Sequence, residues 1–383
     1  MEEYLHIQDT FKKLRVAIVH EWFVNHAGSE KVVEQMVKIF PEADLFALVD
    51  FLSPEQRKFI AGKSVNTSFI QRLPFARKSF RNYFPLFPLA VESHDLRAYD
   101  LIISSSHMVS KGVISNQNQM HICYCHSPCR YAWDLYHQYL EEAGLKSGLK
   151  GLIARFFLHK LRVWDIISLN RVTHFIANSS YIGNRIRHVY RRESDVVYPP
   201  VDVERFQVQA EKGSYYFAAS RLVPYKKMDV IVRAFRRMPD KKLIVVGSGN
   251  DEMNLRSEAT SNIEFRSEAG SKEFLQLMSG AKAFVFAAEE DFGITMAEAL
   301  ACGTPVIAFG RGGAVEIVDD GKSGCLFSHQ TSESLIDAVI RFEKDGLEWN
   351  TSQISASADR FSNRNFRENL ALLIWEKWRQ SGR

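Results

Sequence analysis

No apolar run in this chain approaches the ~18 residues of a membrane-spanning helix, so a spanning segment is not expected. Cysteine is scarce: five residues in 383, an odd number that does not suit a disulfide framework and reads as free thiols. There is no short-period repeat and no low-complexity tract, which sets aside repeat architectures and disordered linkers. Net charge is only +4, too little by itself to imply nucleic acid or membrane. Residues 1–13 hold Glu2, Glu3, His6, Asp9, Lys12 and Lys13 and no apolar core segment. A secretory leader is therefore not expected, and the cytoplasm is the expected compartment.

What is present is the ordinary balance of a globular protein, with 46% apolar and 25% charged residues. At roughly 150 residues per domain, the length suits two domains. Short apolar runs recur at 14–20, 45–50, 100–106, 121–126 and 173–179, then at 215–220, 242–249, 262–266, 283–288 and 305–309. Several are apolar throughout, as in parallel strands covered on both faces. Between them, Val230, Ile231, Ala234, Phe235 and Met238 share one helical face, as do Leu335, Ala338, Val339 and Phe342. Two series of β–α units predict an α/β protein with two Rossmann-like doubly wound domains. Tyr198-Pro199-Pro200-Val201-Asp202 marks the join, because consecutive prolines end an element and stiffen the connection. The expected parts are 1–200, 201–364 and a C-terminal helix at 365–383 that can pack on either domain, packing back on the first being the arrangement favoured.

The run Glu289-Glu290-Asp291-Phe292-Gly293-Ile294-Thr295-Met296-Ala297-Glu298-Ala299-Leu300-Ala301-Cys302-Gly303-Thr304-Pro305 follows a buried strand. A helix-forming stretch begins near Gly293 and stops at Gly303. Phe292, Gly293, Ile294 and Thr295 thus sit at a helix N-terminus, where unpaired amides and the helix dipole attract an anion. Glu290 and Glu298 would repel a phosphate, so they face something else, and sugar hydroxyls are the natural donors to a carboxylate. The alternative is plain macrodipole acids, which for either glutamate alone is the simpler reading. Earlier, Arg221 and Lys226 follow the run at 215–220 and can bring two positive charges to a diphosphate. Cations fixed where charge grows on a leaving group lower a barrier by several kcal/mol, and here they would replace a metal ion. Their alternative is a pair of solvated surface bases.

The Glu290-x7-Glu298 spacing followed by Ala-Cys-Gly-Thr-Pro-Val, with Arg221 and Lys226, resembles the retaining family-4 glycosyltransferases of GT-B architecture, two domains facing a cleft. The resemblance implies that Glu290 contacts the donor sugar, that Glu298 holds the ribose, and that the amides of Phe292, Gly293, Ile294 and Thr295 face sugar and diphosphate. The family pattern Gly-Arg-Leu…Lys-Gly is altered here, with Ser220 at the first glycine and Lys227 at the last. The family also has a glycine-rich loop after its first strand, which places Gly28 near the diphosphate; a turn glycine without function is the alternative. A histidine at Cys123-Tyr124-Cys125-His126-Ser127-Pro128 implies that His126 lies beside the reacting sugar, against the alternative of a satisfied core histidine. Zinc on Cys123, Cys125, His126 and Cys129 is a rival, but the spacing is not a usual zinc spacing and no second cysteine pair follows.

The segments 126–134, 176–180 and 198–202 look like bacterial mannosyltransferases of O-antigen and polysaccharide synthesis, a subgroup that uses GDP-mannose. Arg266, just after the run at 262–265, is a candidate for contact near the guanine. Between 150 and 192 there are nine Lys/Arg and a single acid, Asp165, with Phe156, Phe157, Leu158, Leu161, Val163, Trp164, Ile166 and Ile167 interleaved. The stretch 71–90 holds Arg72, Arg77, Lys78 and Arg81 among aromatics and no acid. Both suit the inner face of a membrane or an acceptor carrying a lipid diphosphate; an amphipathic core helix with a solvated basic face is the alternative. No nucleic-acid motif accompanies the charge, so nucleic acid is not an expected partner.

The sequence reading is then a retaining transferase moving a hexose, mannose from GDP-mannose, to a lipid-linked saccharide, with no metal or cofactor and closure about 198–202. A UDP-sugar-dependent transferase of the same fold stays open, as do two readings from other classes: a nucleotide-sugar epimerase or hydrolase, and a non-catalytic carbohydrate- or nucleotide-binding protein of polysaccharide assembly. A nicotinamide dehydrogenase is weaker, because Gly247-Ser248-Gly249 follows a strand but Glu252 stands where the third glycine of a dinucleotide fingerprint belongs.

Overall fold

The computed structural model describes residues 7, 9–209, 211–267, 270–344 and 349–382. Glu2, Glu3 and His6, read above as arguing against a leader, lie outside the described residues. The chain forms two compact units: residues up to Pro200 together with Phe366–Arg383, and Val201–Asn365. Among the described residues, no helix is long and apolar enough to cross a membrane.

The first unit is built on seven strands: β1 (Val16–His20), β2 (Asp44–Ala47), β3 (Val65–Thr67), β4 (Leu101–Ser106), β5 (Met120–Cys125), β6 (His174–Ala177) and β7 (Ser194–Val196). They are parallel throughout, in the order β3-β2-β1-β4-β5-β6-β7. Every residue of β1, β4 and β5 is buried, so these strands are mainly apolar, and polar residues such as Ser104 and His121 bond each other at 2.8 Å. Alternate residues of β1 enter different apolar layers: Val16 and Ile18 go to one, Ala17 and Val19 to the other. The first layer is closed by helix α1 (Gly28–Ile39), through Val32, Val33 and Met36. The helix at Asn363–Gln380 joins it with Phe366, Leu370, Ala371, Ile374 and Trp378, one stripe at helical spacing.

The second unit has six parallel strands: β8 (Tyr215–Ala219), β9 (Lys242–Val246), β10 (Ile263–Arg266), β11 (Ala283–Phe286), β12 (Val306–Phe309) and β13 (Gly324–Phe327), in the order β10-β9-β8-β11-β12-β13. The two predicted apolar helix faces pack together here, from the helices Met228–Arg236 and Ser332–Lys344. Met238 is buried with them but lies beyond the helix end. Sequence reading missed β3, β7 and β13. The first two are three-residue edge strands with no fully buried position, so they show no apolar run. The third is Gly-Cys-Leu-Phe, whose glycine weakens the strand signal.

Strand order reverses between β1 and β4 in one unit and between β8 and β11 in the other. Open α/β sheets form their ligand crevices at the carboxyl ends of strands flanking such a reversal.

Candidate functional site

In the second unit, β11 delivers Glu289, Glu290 and Asp291 to its carboxyl end, and the helix Ile294–Ala301 follows. The turn between them needs a glycine. Gly293 sits at φ 91°, ψ 57°, and an added Cβ would lie 2.3 Å from Met296 Cε. No side chain caps this helix start, and the Met296 amide turns back to the Gly293 carbonyl at 2.9 Å; helix N-termini attract anions through their leading amides and dipole. Met296, Ala297, Ala299, Leu300 and Ala301 bury the inner face, leaving Ile294, Thr295 and Glu298 half-buried on the other. Phe292 turns its ring into the core, 5.4 Å from that of Phe361, so only its backbone can serve a ligand.

The glutamate loop is held by Gly312 and Gly313, which sequence reading did not single out. The Gly313 amide donates to the Glu290 carbonyl at 2.8 Å. A Cβ on Gly312 would stand 2.2 Å from that same oxygen, and one on Gly313 would stand 2.1 Å from the Phe292 carbonyl. The available signal was Gly310-Arg311-Gly312-Gly313 directly after an apolar run.

Arg221 and Lys226 occupy the loop after β8. Arg221 donates to the Tyr225 hydroxyl, and the Lys226 ammonium lies 5.4 Å over the Tyr225 ring. Lys226 also donates to Glu290, 64 residues away, in a half-buried ion pair. The structure therefore joins two residues whose sequence-based roles were separate. Lys227 adopts φ 55°, ψ 34° at the start of the next helix. This left-handed conformation gives the physical reason for the glycine usual at that position. Gly247 and Gly249 find their purpose in the same loop. Cβ atoms there would approach the carbonyls of Ser220 and Leu222 to 1.9 Å and 2.2 Å, and the Leu222 amide donates to the Ser248 carbonyl at 2.9 Å. Arg266 stands apart, at the end of edge strand β10, its guanidinium bound to Glu264 and Glu273 at 2.7 Å each.

In the first unit, His126 follows β5, and its Nε2 lies 2.8 Å from Ser105 Oγ at the end of β4. Burial, with His107 and then His20 as like-charged neighbours, pushes its pKa well below the usual imidazole range. The ring is neutral at physiological pH. Gly28 opens α1, and a Cβ there would meet nothing within 4 Å, so no neighbour in the chain demands glycine. Cys123 and Cys125 lie in one apolar cluster and Cys129 in another.

Glu21 was missed. It is fully buried directly after β1, and its carboxylate accepts from the amides of His107, Met108, Val109 and Ser110 at 2.7–3.2 Å, and from the Ser106 and Ser110 hydroxyls. Burial alone would raise its pKa; His107 and the amides of Ser110, Val109 and Met108 outweigh that and leave it lowered. Sequence carried no sign of this, because a nest of amides is a property of the backbone path.

The basic tracts are also resolved. In the helix Gly148–Ser168, Leu158 and Leu161 are buried, but Leu149, Leu152, Phe156, Val163 and Ile167 are exposed at helical spacing. The apolar stripe faces outward, the reverse of a core helix with a solvated basic face. Asp165, the lone acid, is buried against Lys111 and accepts from Trp133 Nε1 at 2.8 Å. In 71–90, Phe75 is 81% exposed and Leu89 60%.

Two sheets of this topology, each with polar loops at its reversal point, are the two Rossmann-like units of the GT-B fold. The family model "Glycosyltransferase Family 4" matches residues 27–205 and "Glycosyl transferases group 1" matches 201–362. The chain belongs to the family-4 glycosyltransferases of GT-B architecture. It is 37% identical over 143 residues to a GDP-mannose-dependent monoacylated alpha-(1-6)-phosphatidylinositol monomannoside mannosyltransferase of Corynebacterium glutamicum, covering 33% of this chain and 37% of that protein. It is 29% identical over 216 residues to a GDP-mannose-dependent alpha-(1-6)-phosphatidylinositol monomannoside mannosyltransferase of Mycobacterium tuberculosis, covering 46% of this chain and 56% of the relative. The matched region is thus between about a third and just over half of each relative. HepE of Anabaena, solved with UDP and glucose, shares the fold with a TM-score of 0.69 at 18% identity, over 94% of this chain and 99% of that one.

Proposed function

We propose that this protein is a retaining, metal-independent hexosyltransferase that moves mannose from GDP-mannose to a lipid-linked saccharide in cell-surface polysaccharide synthesis of the O-antigen kind. One observation carries the reading: the uncapped helix start at Gly293 stands between Glu290 and Glu298, and Lys226 is bound to Glu290. This is an anion site with carboxylates beside it, as a sugar diphosphate requires. The diphosphate lies at the amides of Phe292, Gly293, Ile294 and Thr295. Arg221 and Lys226 take up the negative charge that grows on it as the glycosidic bond breaks. To do so, Lys226 exchanges Glu290 for phosphate, and Glu290 turns to the sugar hydroxyls. Glu298 holds the ribose, and Arg266 reaches the guanine only by giving up a carboxylate. His126 and Gly28 serve the sugar and the acceptor. The acceptor hydroxyl attacks the face that the diphosphate leaves, so configuration is retained.

The GDP-mannose dependence and lipid-borne acceptors in the relatives' names support the choice of donor and acceptor class. The exposed apolar residues among the bases of 71–90 and 150–192 support attachment to the inner face of a membrane. Calorimetry with GDP-mannose, UDP-glucose and UDP-N-acetylglucosamine in EDTA tests the reading. Preference for GDP-mannose is expected. Preference for a UDP-sugar overturns the mannosyl assignment, and binding only on addition of Mg²⁺ overturns the metal-free mechanism.

A further inference from the structure

A chain of polar contacts runs behind His126. Glu30, the third residue of α1, is almost fully buried, and its Oε2 accepts from the Ala27 amide at 3.2 Å and the Ser29 hydroxyl at 3.0 Å. Its other oxygen faces His20 Nε2 at 3.7 Å. That nitrogen is buried and has no hydrogen-bond partner. His20 Nδ1 lies 3.2 Å from Ser105 Oγ, which is 2.8 Å from His126 Nε2.

The proton positions follow from the carboxylate end. The Glu30 carboxyl accepts from the Ala27 amide and the Ser29 hydroxyl, and against its burial its pKa is lowered to about 2, so it is ionised. A bare nitrogen lone pair facing a buried carboxylate is repelled, so His20 carries its hydrogen on Nε2. In the singly protonated ring, Nδ1 is then an acceptor. The Ser105 carbonyl, 3.3 Å away, has no hydrogen to give and already accepts from Ser110 Oγ at 2.9 Å. Ser105 Oγ–H therefore donates to His20, and its lone pairs accept from His126 Nε2–H. No hydrogen bond to His126 Nδ1 is made among the described residues.

We propose that Glu30, acting through His20 and Ser105, fixes the tautomer of His126 so that it presents a bare, accepting Nδ1 to a substrate hydroxyl. Glu30, His20 and Ser105 are positioning residues, and their effect on transfer rests on the function proposed above. The logic is that of a carboxylate orienting an imidazole, extended by one hydroxyl.

The test is a long-range ¹⁵N–¹H correlation spectrum of the full chain labelled at histidine nitrogens, with His126 assigned by its loss in His126→Gln. The expected result is a protonated Nε2 and an unprotonated Nδ1 on His126, and a neutral His20 protonated at Nε2. Ser105→Ala is expected to mix the two His126 tautomers and to lower mannosyl transfer about tenfold, one lost orienting hydrogen bond, with GDP-mannose affinity unchanged. Ser105→Thr, which keeps the hydroxyl, is expected to restore both. A proton on His126 Nδ1, or a doubly protonated His20 driving the chain the other way, overturns the proposal. So does a Ser105→Ala variant with unaltered His126 nitrogens. The spectrum of the unsubstituted chain decides even where Ser105→Ala does not fold. It needs no substrate, so failure of GDP-mannose to react counts against the transferase reading and leaves the tautomer result standing.

Discussion

Both units reverse strand order at the middle of a parallel sheet, yet they use the crevice loops in opposite ways. In the first, the backbone nest of residues 107–110 is filled by the chain's own Glu21, buried and neutralised by amides. In the second, the helix start at Gly293 has no side-chain cap, and the carboxylate beside it is bound to a lysine. An anion site filled from within locks a loop; the uncapped one is where the proposed donor would bind. The contrast separates residues that hold structure from residues proposed to meet substrate, although all are charged and all stand at strand ends.

The sharpest way to break this contrast is to compare Arg221→Ala with Glu21→Gln. Arg221→Ala is expected to lower turnover about 10²–10³-fold with a much smaller change in donor affinity, read by steady-state kinetics and calorimetry. Equal loss of affinity with unchanged turnover removes its role on developing charge. Glu21→Gln is expected to cost about 3 kcal/mol of stability in urea unfolding, because an amide N–H₂ then faces a nest of donors. Glu290→Gln, half-buried, should cost less than about 1 kcal/mol while turnover falls. Stability losses of similar size at Glu21 and Glu290 would erase the distinction.

The units also separate by pH. The unit Val201–Asn365 holds a single histidine, His329, which is exposed, whereas His121 is buried in the other. Its Nε2 lies 2.8 Å from Ser104 Oγ and its Nδ1 2.9 Å from the Arg171 carbonyl, a neutral imidazole's pattern. Burial, against the pull of that carbonyl, lowers its pKa from 6.5 to about 4. Between those values the unfolded chain binds a proton that the native chain refuses. His121 therefore contributes stability fully present above pH 6.5 and lost as pH falls toward 4, about 3 kcal/mol in all. Urea midpoints measured across that window should show this slope together with that of His94, also lowered to about 4 by burial, and His121→Gln should make it shallower.

The smallest expected change in fold stability, within about 0.5 kcal/mol, accompanies a double change of Phe75→Ser and Leu149→Ser, since both side chains are exposed. Flotation with anionic phosphatidylserine vesicles should nonetheless fall. Unchanged flotation would return those tracts to ordinary surface.

Much of this was legible without coordinates. Ten strands announced themselves because strands covered on both faces are rich in apolar residues, and even the edge strand β10 carries Ile263 and Phe265. The turn at Gly293 and the helix after it were legible because a strand end, a glycine and a helix former adjoin in sequence. The partnership of Lys226 with Glu290, the nest around Glu21 and the line from Glu30 to His126 were not. Each joins residues brought together by strand order, and pairing of that kind leaves no periodicity in the chain. Local chemistry and short-range pattern thus determined the α/β class, the anion-seeking helix start and the charges near it. Only the tertiary structure decided which charges neutralise each other, which glycines admit a neighbouring backbone, and that the helix Gly148–Ser168 turns its apolar stripe outward. Those outcomes depend on distances between elements, which one-dimensional order does not carry.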